Sequence, residues 1–419
     1  MSFVYNLLIY LAAPLALLVH LWRGLRDPSY RGRLGERFGF GAALPGPTIW
    51  IHAVSVGEVQ AAEALVRKLL LRHPRHALLL TTVTPTGAAR ARQLFGTSVQ
   101  LRYVPFDLPG SVRRFFDRVQ PRLAMILETE LWPNLYAECG RRQVPLVLAS
   151  ARISPRSVGR YRRMVPLFRR TLAYGIVIAA QSEVDAERFR SIGAVPERMH
   201  VTGNVKFDFQ APPGIEERGA RWRAENAPDR PVWVAGSTHA GEEEVILDAH
   251  RRLRERFPQA LLILVPRHPQ RFAAVRDLLA RRSEATADRS AGTAISAATS
   301  VMLGDTMGEL MMFYAAADVA FVAGSLEPVG GHNLLEPASI GRPVLTGPHN
   351  FNSETVAKLL LDAGAARIVA DAEQLAHAIA ELFGDKPRRE QMGAAGRAVL
   401  DANRGAIDRL LRLVEPLLD

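Results

Sequence analysis

Twice along this chain of 419 residues, short apolar runs alternate with amphipathic stretches, and between the two series the pattern lapses. The first series runs from Thr48–Val54 through Ala77–Thr82, Val99–Val104, Leu123–Leu127, Leu146–Ala149 and Ile176–Ala180. Helical stretches lie between them, the last an arginine-rich one at Val158–Leu172, and a further helix, Glu183–Ser191, follows the final run. The second series comprises Val232–Ala235, Ala260–Val265, Val301–Leu303, Asp318–Ala323, Pro343–Leu345 and Ala366–Val369. The runs are mostly apolar, as strands buried on both faces are. Strand–helix alternation of this kind predicts an α/β chain with two doubly wound parallel sheets. Between Phe207 and Arg230, the Pro212-Pro213-Gly214 and Ala227-Pro228 breaks flank a short charged helix and read as a linker. The predicted organisation is an anchor over 1–24, a first domain over 25–208, a linker over 209–230 and a second domain over 231–419. Ligands of such sheets sit at the carboxyl ends of the strands, here expected in a cleft between two facing lobes.

The length suits two domains. The formal net charge of +11 favours an anionic partner. No aromatic-basic signature of RNA binding and no zinc-ligand cluster accompany that charge, which puts lipid or phosphate ahead of nucleic acid. Cys139 is the single cysteine. No internal disulfide is possible, a reducing compartment is implied, and Cys139 reads as a core residue.

Phe3–Trp22 is apolar but for Asn6, Pro14 and His20, and its length is near the roughly 20 residues that span a bilayer. Arg23, Arg26, Arg31 and Arg33 follow it, which predicts an uncleaved anchor with the body on the cytoplasmic side. Whether the segment spans the membrane or lies in its surface is left open by the sequence. The basic cluster Arg156, Arg160, Arg162, Arg163, Arg169 and Arg170 is either a solvated helix face or a contact for anionic lipid headgroups.

Candidate chemistry sits just after strands. In His52-Ala53-Val54-Ser55-Val56-Gly57-Glu58, Glu58 is a candidate general base toward a sugar hydroxyl, or a first-turn acid serving its own helix dipole. In Glu128-Thr129-Glu130-Leu131-Trp132-Pro133-Asn134, Glu128 is the site candidate and Glu130 a helix-capping acid. Lys206, in Gly203-Asn204-Val205-Lys206, is a candidate cation for a leaving phosphate or a substrate carboxylate, or else a solvated linker lysine. In the second half, Gly330-Gly331-His332-Asn333-Leu334-Leu335-Glu336-Pro337 follows a strand. It predicts a helix over His332–Ile340 whose glycine-opened end binds phosphate, with Glu336 placed for sugar hydroxyls. The alternative is an ordinary turn. Ser237-Thr238-His239, Pro266-Arg267-His268-Pro269 and Met307-Gly308-Glu309 also follow strands or open helices. Together they suggest a phosphate-and-ribose pocket with Arg267 as its fork. No Asp or His cluster points to a metal.

As a set these motifs, with Arg33-Leu34-Gly35-Glu36-Arg37, resemble the 3-deoxy-D-manno-octulosonic acid (Kdo) transferases of Gram-negative bacteria over nearly the whole chain. The resemblance implies a GT-B glycosyltransferase with two Rossmann-like lobes and an N-terminal membrane anchor at the inner membrane. It implies inverting transfer of Kdo from CMP-Kdo to the lipid A precursor (lipid IVA), with no metal. Residue by residue, Glu58 matches the family's base, and Glu128 and Lys206 match its positions for transition-state stabilisation. Pro266-Arg267, Met307-Gly308-Glu309 and Gly331 with Asn333-Leu334-Leu335-Glu336 match its CMP-contacting segments. Two rivals stand beside this reading. One is a nonhydrolysing sugar-nucleotide epimerase of the same fold; the other is a membrane-bound sugar-nucleotide binding protein without catalysis. The number of Kdo residues added, the acyl chains required and the oligomeric state are not legible.

Overall fold

The computed structural model describes residues 3–153, 157–159, 161, 172 and 175–418. The chain divides into two compact units, 1–208 with 403–419, and 209–402. Among the described residues each unit holds one seven-stranded sheet, and every strand pairing is parallel.

The first sheet contains β1 (Thr48–His52), β2 (Ala77–Thr82), β3 (Gln100–Tyr103), β4 (Pro121–Leu127), β5 (Leu146–Ala151), β6 (Val177–Ala180) and β7 (Met199–Val201). Their order across the sheet is β3-β2-β1-β4-β5-β6-β7. The direction of winding therefore reverses between β1 and β4, and a sheet of this kind binds ligands beyond the carboxyl ends at that reversal. Alternate residues of each strand feed opposite layers. Ile49, Ile51, Leu123 and Met125 pack with Leu65, Leu69 and the C-terminal helix, while Trp50, Ala124 and Ile126 pack with Phe115, Phe116 and Tyr136.

The second sheet contains β8 (Val232–Thr238), β9 (Leu261–Pro266), β10 (Thr286–Asp288), β11 (Val301–Leu303), β12 (Val319–Val322), β13 (Val344–Thr346) and β14 (Ala366–Ile368). Its order is β10-β11-β9-β8-β12-β13-β14, with the reversal between β8 and β12.

Two predicted boundaries are corrected. The segment read as a linker over 209–230 belongs to the second unit, and its short charged helix, Ile215–Asn226, packs there. Trp222 is buried with its ring edge-on to Phe313, and a Cβ on Gly219 would stand 2.4 Å from that of Ala315. The Pro212-Pro213-Gly214 and Ala227-Pro228 breaks that suggested a linker bound that helix at its two ends.

The second domain was expected to run to 419, but 403–419 returns to the first unit. The helix Ala406–Val414 repeats buried apolar residues at Ile407, Leu410, Leu411 and Val414. That stripe fills one side of the first sheet, each such side chain contributing roughly 2 kcal/mol. Asp208 secures its start, accepting from the backbone of Gly405 at 2.6 Å and of Ile407 at 2.5 Å. The six arginines of the predicted lipid-contacting cluster lie outside the described residues, as does most of the predicted helix over Val158–Leu172.

Candidate active site

In the first unit, β1 ends at His52 and the chain turns through Ser55 into a helix, Val56–Ala61, that carries Glu58 in its first turn. The Glu58 carboxyl folds back and accepts from the Val54 amide at 2.7 Å, which fixes its rotamer. Burial, then the negative charge of Glu128, push its pKa from the ordinary 4.5 up to about 8, against the Val54 bond and the charge of Lys206. Glu58 is therefore not simply an acid serving its own helix dipole. It is an enclosed carboxyl that holds its proton near neutrality.

Glu128 follows β4 directly, on the other side of the reversal. Its backbone sits at φ +56°, a left-handed conformation that costs a non-glycine residue on the order of 1 kcal/mol. The Glu128 amide donates to Ala149 O at 2.9 Å, and its carboxylate meets Lys206 Nζ at 2.8 Å and Arg152 Nε at 3.9 Å.

Lys206 rises from a single turn, Val205–Asp208, whose start is pinned by two side chains. Asn204 Oδ1 accepts from the Lys206 amide at 3.0 Å, and Ser150 Oγ accepts from the Val205 amide at 3.3 Å. Ser150 is also left-handed, at φ +54°. Lys206 is thus a positioned, half-buried cation, not a solvated lysine. The structure brings Glu58, Glu128 and Lys206 into one cluster from three separate strand ends. Arg152 joins it, and sequence reasoning did not single Arg152 out.

Glu130 does not cap the helix Pro133–Arg141. Asp107 does, accepting from the amides of Asn134 at 3.0 Å and Leu135 at 2.8 Å. Burial raises the pKa of Glu130 above the usual carboxylate range. His52 is buried with Nδ1 at 2.8 Å from the Thr81 hydroxyl, and burial lowers its pKa to about 4, leaving it neutral.

In the second unit, Ser237 at φ +63° breaks the register near the end of β8, and the turn after the strand presents His239. The turn after β9 presents Arg267, whose amide donates to Thr238 O at 3.0 Å. His239 and His332 stack with their Nε2 atoms 2.9 Å apart, and His268 stands edge-on to His239 at 5.4 Å. Burial is the main cause that lowers the pKa of all three, His332 to about 3, and the charge of Arg267 adds to it. Arg267 is thus a fixed cation beside three imidazoles whose charged forms are disfavoured. His332 was legible only as part of the glycine motif.

The organising group of this unit is Glu242, fully buried at the start of the helix Glu242–Arg256. Its two carboxyl oxygens accept four backbone N–H groups: His239 at 2.9 Å, Gly324 at 2.8 Å, Ser325 at 2.9 Å and Leu326 at 3.0 Å. One side chain thereby locks the turn after β8 to the turn after β12. Sequence reasoning missed it because it is one of three successive acids.

The predicted helix over His332–Ile340 is shorter, Leu335–Ser339. Gly330 at φ +111° and Gly331 at φ +76° keep the chain in an open loop. A Cβ on Gly331 would meet Asn350 Oδ1 at 2.5 Å, so the close approach requires glycine. Gly331 therefore does not open a helix. Asn333 instead accepts from the Leu335 amide at 3.1 Å and donates to Glu336 Oε1 at 3.4 Å. Leu334 and Leu335 are buried, and they hold the loop down. Pro266 ends β9 inside the core.

Met307 is exposed, and Gly308 stands at φ +84° with open space about it. Glu309 is engaged internally: Arg289 donates to it at 3.0 and 2.7 Å and Thr306 also bonds it. The Arg289 guanidinium holds Glu309 below the usual carboxylate range. Among the described residues, no group of three or more His, Cys, Asp or Glu side chains converges to hold a metal.

A sequence-family profile described as "3-Deoxy-D-manno-octulosonic-acid transferase (kdotransferase)" matches residues 32–209. A second, "Glycosyl transferases group 1", matches residues 241–399. The chain is 42% identical over 421 residues to the 3-deoxy-D-manno-octulosonic acid transferase of Haemophilus influenzae, covering 100% of this chain and 99% of that one. It is 38% identical to that of Bordetella pertussis, covering 99% of each. Among solved structures, UDP-GlcNAc 2-epimerase from Neisseria meningitidis superposes with a TM-score of 0.58 at 13% identity, covering 88% of this chain and 100% of that chain. A glycosyltransferase from Rickettsia africae gives 0.57 at 13%, covering 89% and 99%. These two likenesses are of fold alone, the two-unit GT-B fold, so the epimerase likeness lends no support to an epimerase activity.

Proposed function

Because this chain belongs to the Kdo transferase family, we propose that it transfers Kdo from CMP-Kdo to the lipid A precursor, lipid IVA, inverting the anomeric centre. The acceptor hydroxyl oxygen forms a bond to the anomeric carbon of Kdo. The bond from that carbon to the phosphate oxygen breaks, and CMP leaves with the electron pair. Glu58 takes the proton of the acceptor hydroxyl. Lys206, held by Glu128, offsets negative charge as it develops, with Arg152 beside the pair.

The CMP moiety belongs to the second unit in this proposal. Arg267 meets phosphate, the loop Gly331–Glu336 supplies backbone donors and a carboxyl for ribose, and the segment from Pro266 and that at Met307–Glu309 line the nucleotide. The proposal needs no metal. Catalysis is placed at the cytoplasmic face of the inner membrane, where anionic lipids meet the basic N-terminal flank.

The observation that carries the reading is the Glu58 carboxyl, enclosed and basic enough to accept a hydroxyl proton, beside a paired glutamate and lysine. The full-length likeness to Kdo transferases favours transfer over epimerisation. The test is to incubate purified protein with CMP-Kdo and tetra-acylated lipid A precursor and weigh the products. The expected outcome is acceptor heavier by one or more Kdo residues, with CMP released. Turnover of a sugar nucleotide without any lipid acceptor supports the epimerase instead.

A further inference from the structure

One helix among the described residues, Val4–Leu25 within Phe3–Arg26, is long and apolar enough to cross a membrane. Its surroundings show a pattern that length and composition do not. Among the described residues, those partly covered along it are Tyr5, Asn6, Ile9, Ala13, Leu17 and His20, and Gly24 is buried. Successive members are one to four residues apart, so they form a single stripe along one face. That stripe carries the polar residues that make the segment a poor span. Tyr5 Oη donates to Asp107 Oδ2 at 2.8 Å, Asn6 Oδ1 accepts from Asn134 Nδ2 at 3.0 Å, and His20 Nε2 is 2.8 Å from Tyr30 O.

Asp107 and Asn134 lie deep in the first unit, and Asp107 is the same carboxylate that caps the helix Pro133–Arg141. Beyond its other end the chain is tied to the same unit through a separate short helix, Leu34–Arg37: Glu36 accepts from the Tyr103 amide at 2.9 Å, and Arg37 donates to Val83 O at 2.6 Å. Tyr5 and Arg23 are separated by about 27 Å of helix, nearly the roughly 30 Å hydrocarbon thickness of a bilayer. A helix crossing that layer would carry Tyr5 and Asn6 to its far side, away from Asp107 and Asn134.

The opposite face is apolar along its length. Val4, Leu8, Leu11, Leu15, Leu18 and Leu25 are each 59–71% exposed. Tyr10 and Trp22 add rings suited to the headgroup boundary, and Arg23 and Arg31 stand at one end.

We propose that this helix lies in the plane of one leaflet, its polar stripe seated on the protein and its leucine face sunk among lipid acyl chains, and that it does not cross the bilayer. A lipid leaflet is the occupant because this face runs for the length of the helix with no acid on it and with basic residues at its end. A helix buried in this way binds in proportion to its apolar area plus the attraction of its basic residues for anionic lipid. The proposal rests on the membrane-seated reading above but not on its chemistry, and transfer activity persists with either orientation.

The test uses the double variant Asn6→Cys, Asn134→Cys in native membranes, with an epitope tag ahead of Met1. Cys139 does not compete, since it is buried and burial pushes its thiol up. Under a mild oxidant the pair is expected to cross-link in most molecules, while a control pair, Leu18→Cys with Asn134→Cys, does not. Protease is expected to remove the tag in inverted vesicles and to leave it intact on spheroplasts. Absence of the cross-link together with removal of the tag from the outside of spheroplasts would overturn the proposal.

Discussion

Replacing Glu58 with glutamine is expected to cut transfer steeply while leaving nucleotide binding in place. A positioned general base is worth about 10²–10⁴ in rate, so kcat is expected to fall by that factor. CMP affinity, measured by calorimetry, is expected to stay within about twofold of the parent, because the groups assigned to the nucleotide lie in the other unit.

The same change should make the protein more stable in alkali. The folded-state pKa of Glu58, about 8, lies above the ordinary 4.5, so the folded chain holds a proton that the unfolded chain releases. Stability therefore falls as pH rises from the ordinary value toward about 8, and the loss is complete above it. Glutamine keeps an oxygen for the Val54 amide and carries no charge. Glu58→Gln is expected to gain on the order of 1–3 kcal/mol over the parent near pH 9 and little near pH 5, read by urea unfolding of the first unit. Loss of CMP binding with transfer intact would contradict the role assigned to Glu58.

Replacing Lys206 with methionine is the second large effect. The cation is held at 2.8 Å from Glu128 on a turn pinned by Asn204 and Ser150, so it is preorganised and does not have to be gathered at the moment of reaction. Removing a preorganised charge of this kind costs about 10²–10³ in kcat. Methionine keeps the length and the apolar stem, so stability should change by only about 1 kcal/mol, as for a partly exposed pair. Two further signs distinguish this variant from a merely misfolded one. CMP affinity should be unchanged. The pKa of Glu58 should rise, because Lys206 is one of the groups that lower it. A variant with normal kcat and a raised KM would instead make Lys206 a substrate-binding lysine.

Much of this was legible because parallel strands are buried on both faces and so read as unbroken apolar runs. Trp50, Leu79 and Ile126 lie in the first sheet, and Trp233, Leu262 and Phe321 in the second, all within segments predicted as strands. The edge strands β7 and β10 were missed for the same physical reason, since Met199–Val201 and Thr286–Asp288 are largely unburied and carry little apolar signal.

In the candidate site, Glu58, Glu128 and Lys206 were visible as polar residues just past strand ends. Their convergence was not, because Glu128 and Lys206 are 78 positions apart and meet only through the sheet order. Glu242 and Asp107 were invisible for a different reason. Each works by accepting backbone N–H groups, and any acid near a turn has the same sequence appearance. The return of 403–419 to the first unit was hidden as well, because an amphipathic helix shows which face it buries but not which sheet receives it.

The most direct test of the central claim is the pH dependence of kcat/KM for Kdo transfer, which reports the ionisation of the free enzyme. With Glu58 as base, kcat/KM should climb through neutrality with a midpoint near about 8. In Glu128→Gln that midpoint should move to lower pH, since a negative neighbour that raises the Glu58 pKa is gone. A flat profile from about pH 6 to about pH 9, or a midpoint that Glu128→Gln leaves in place, would contradict the account.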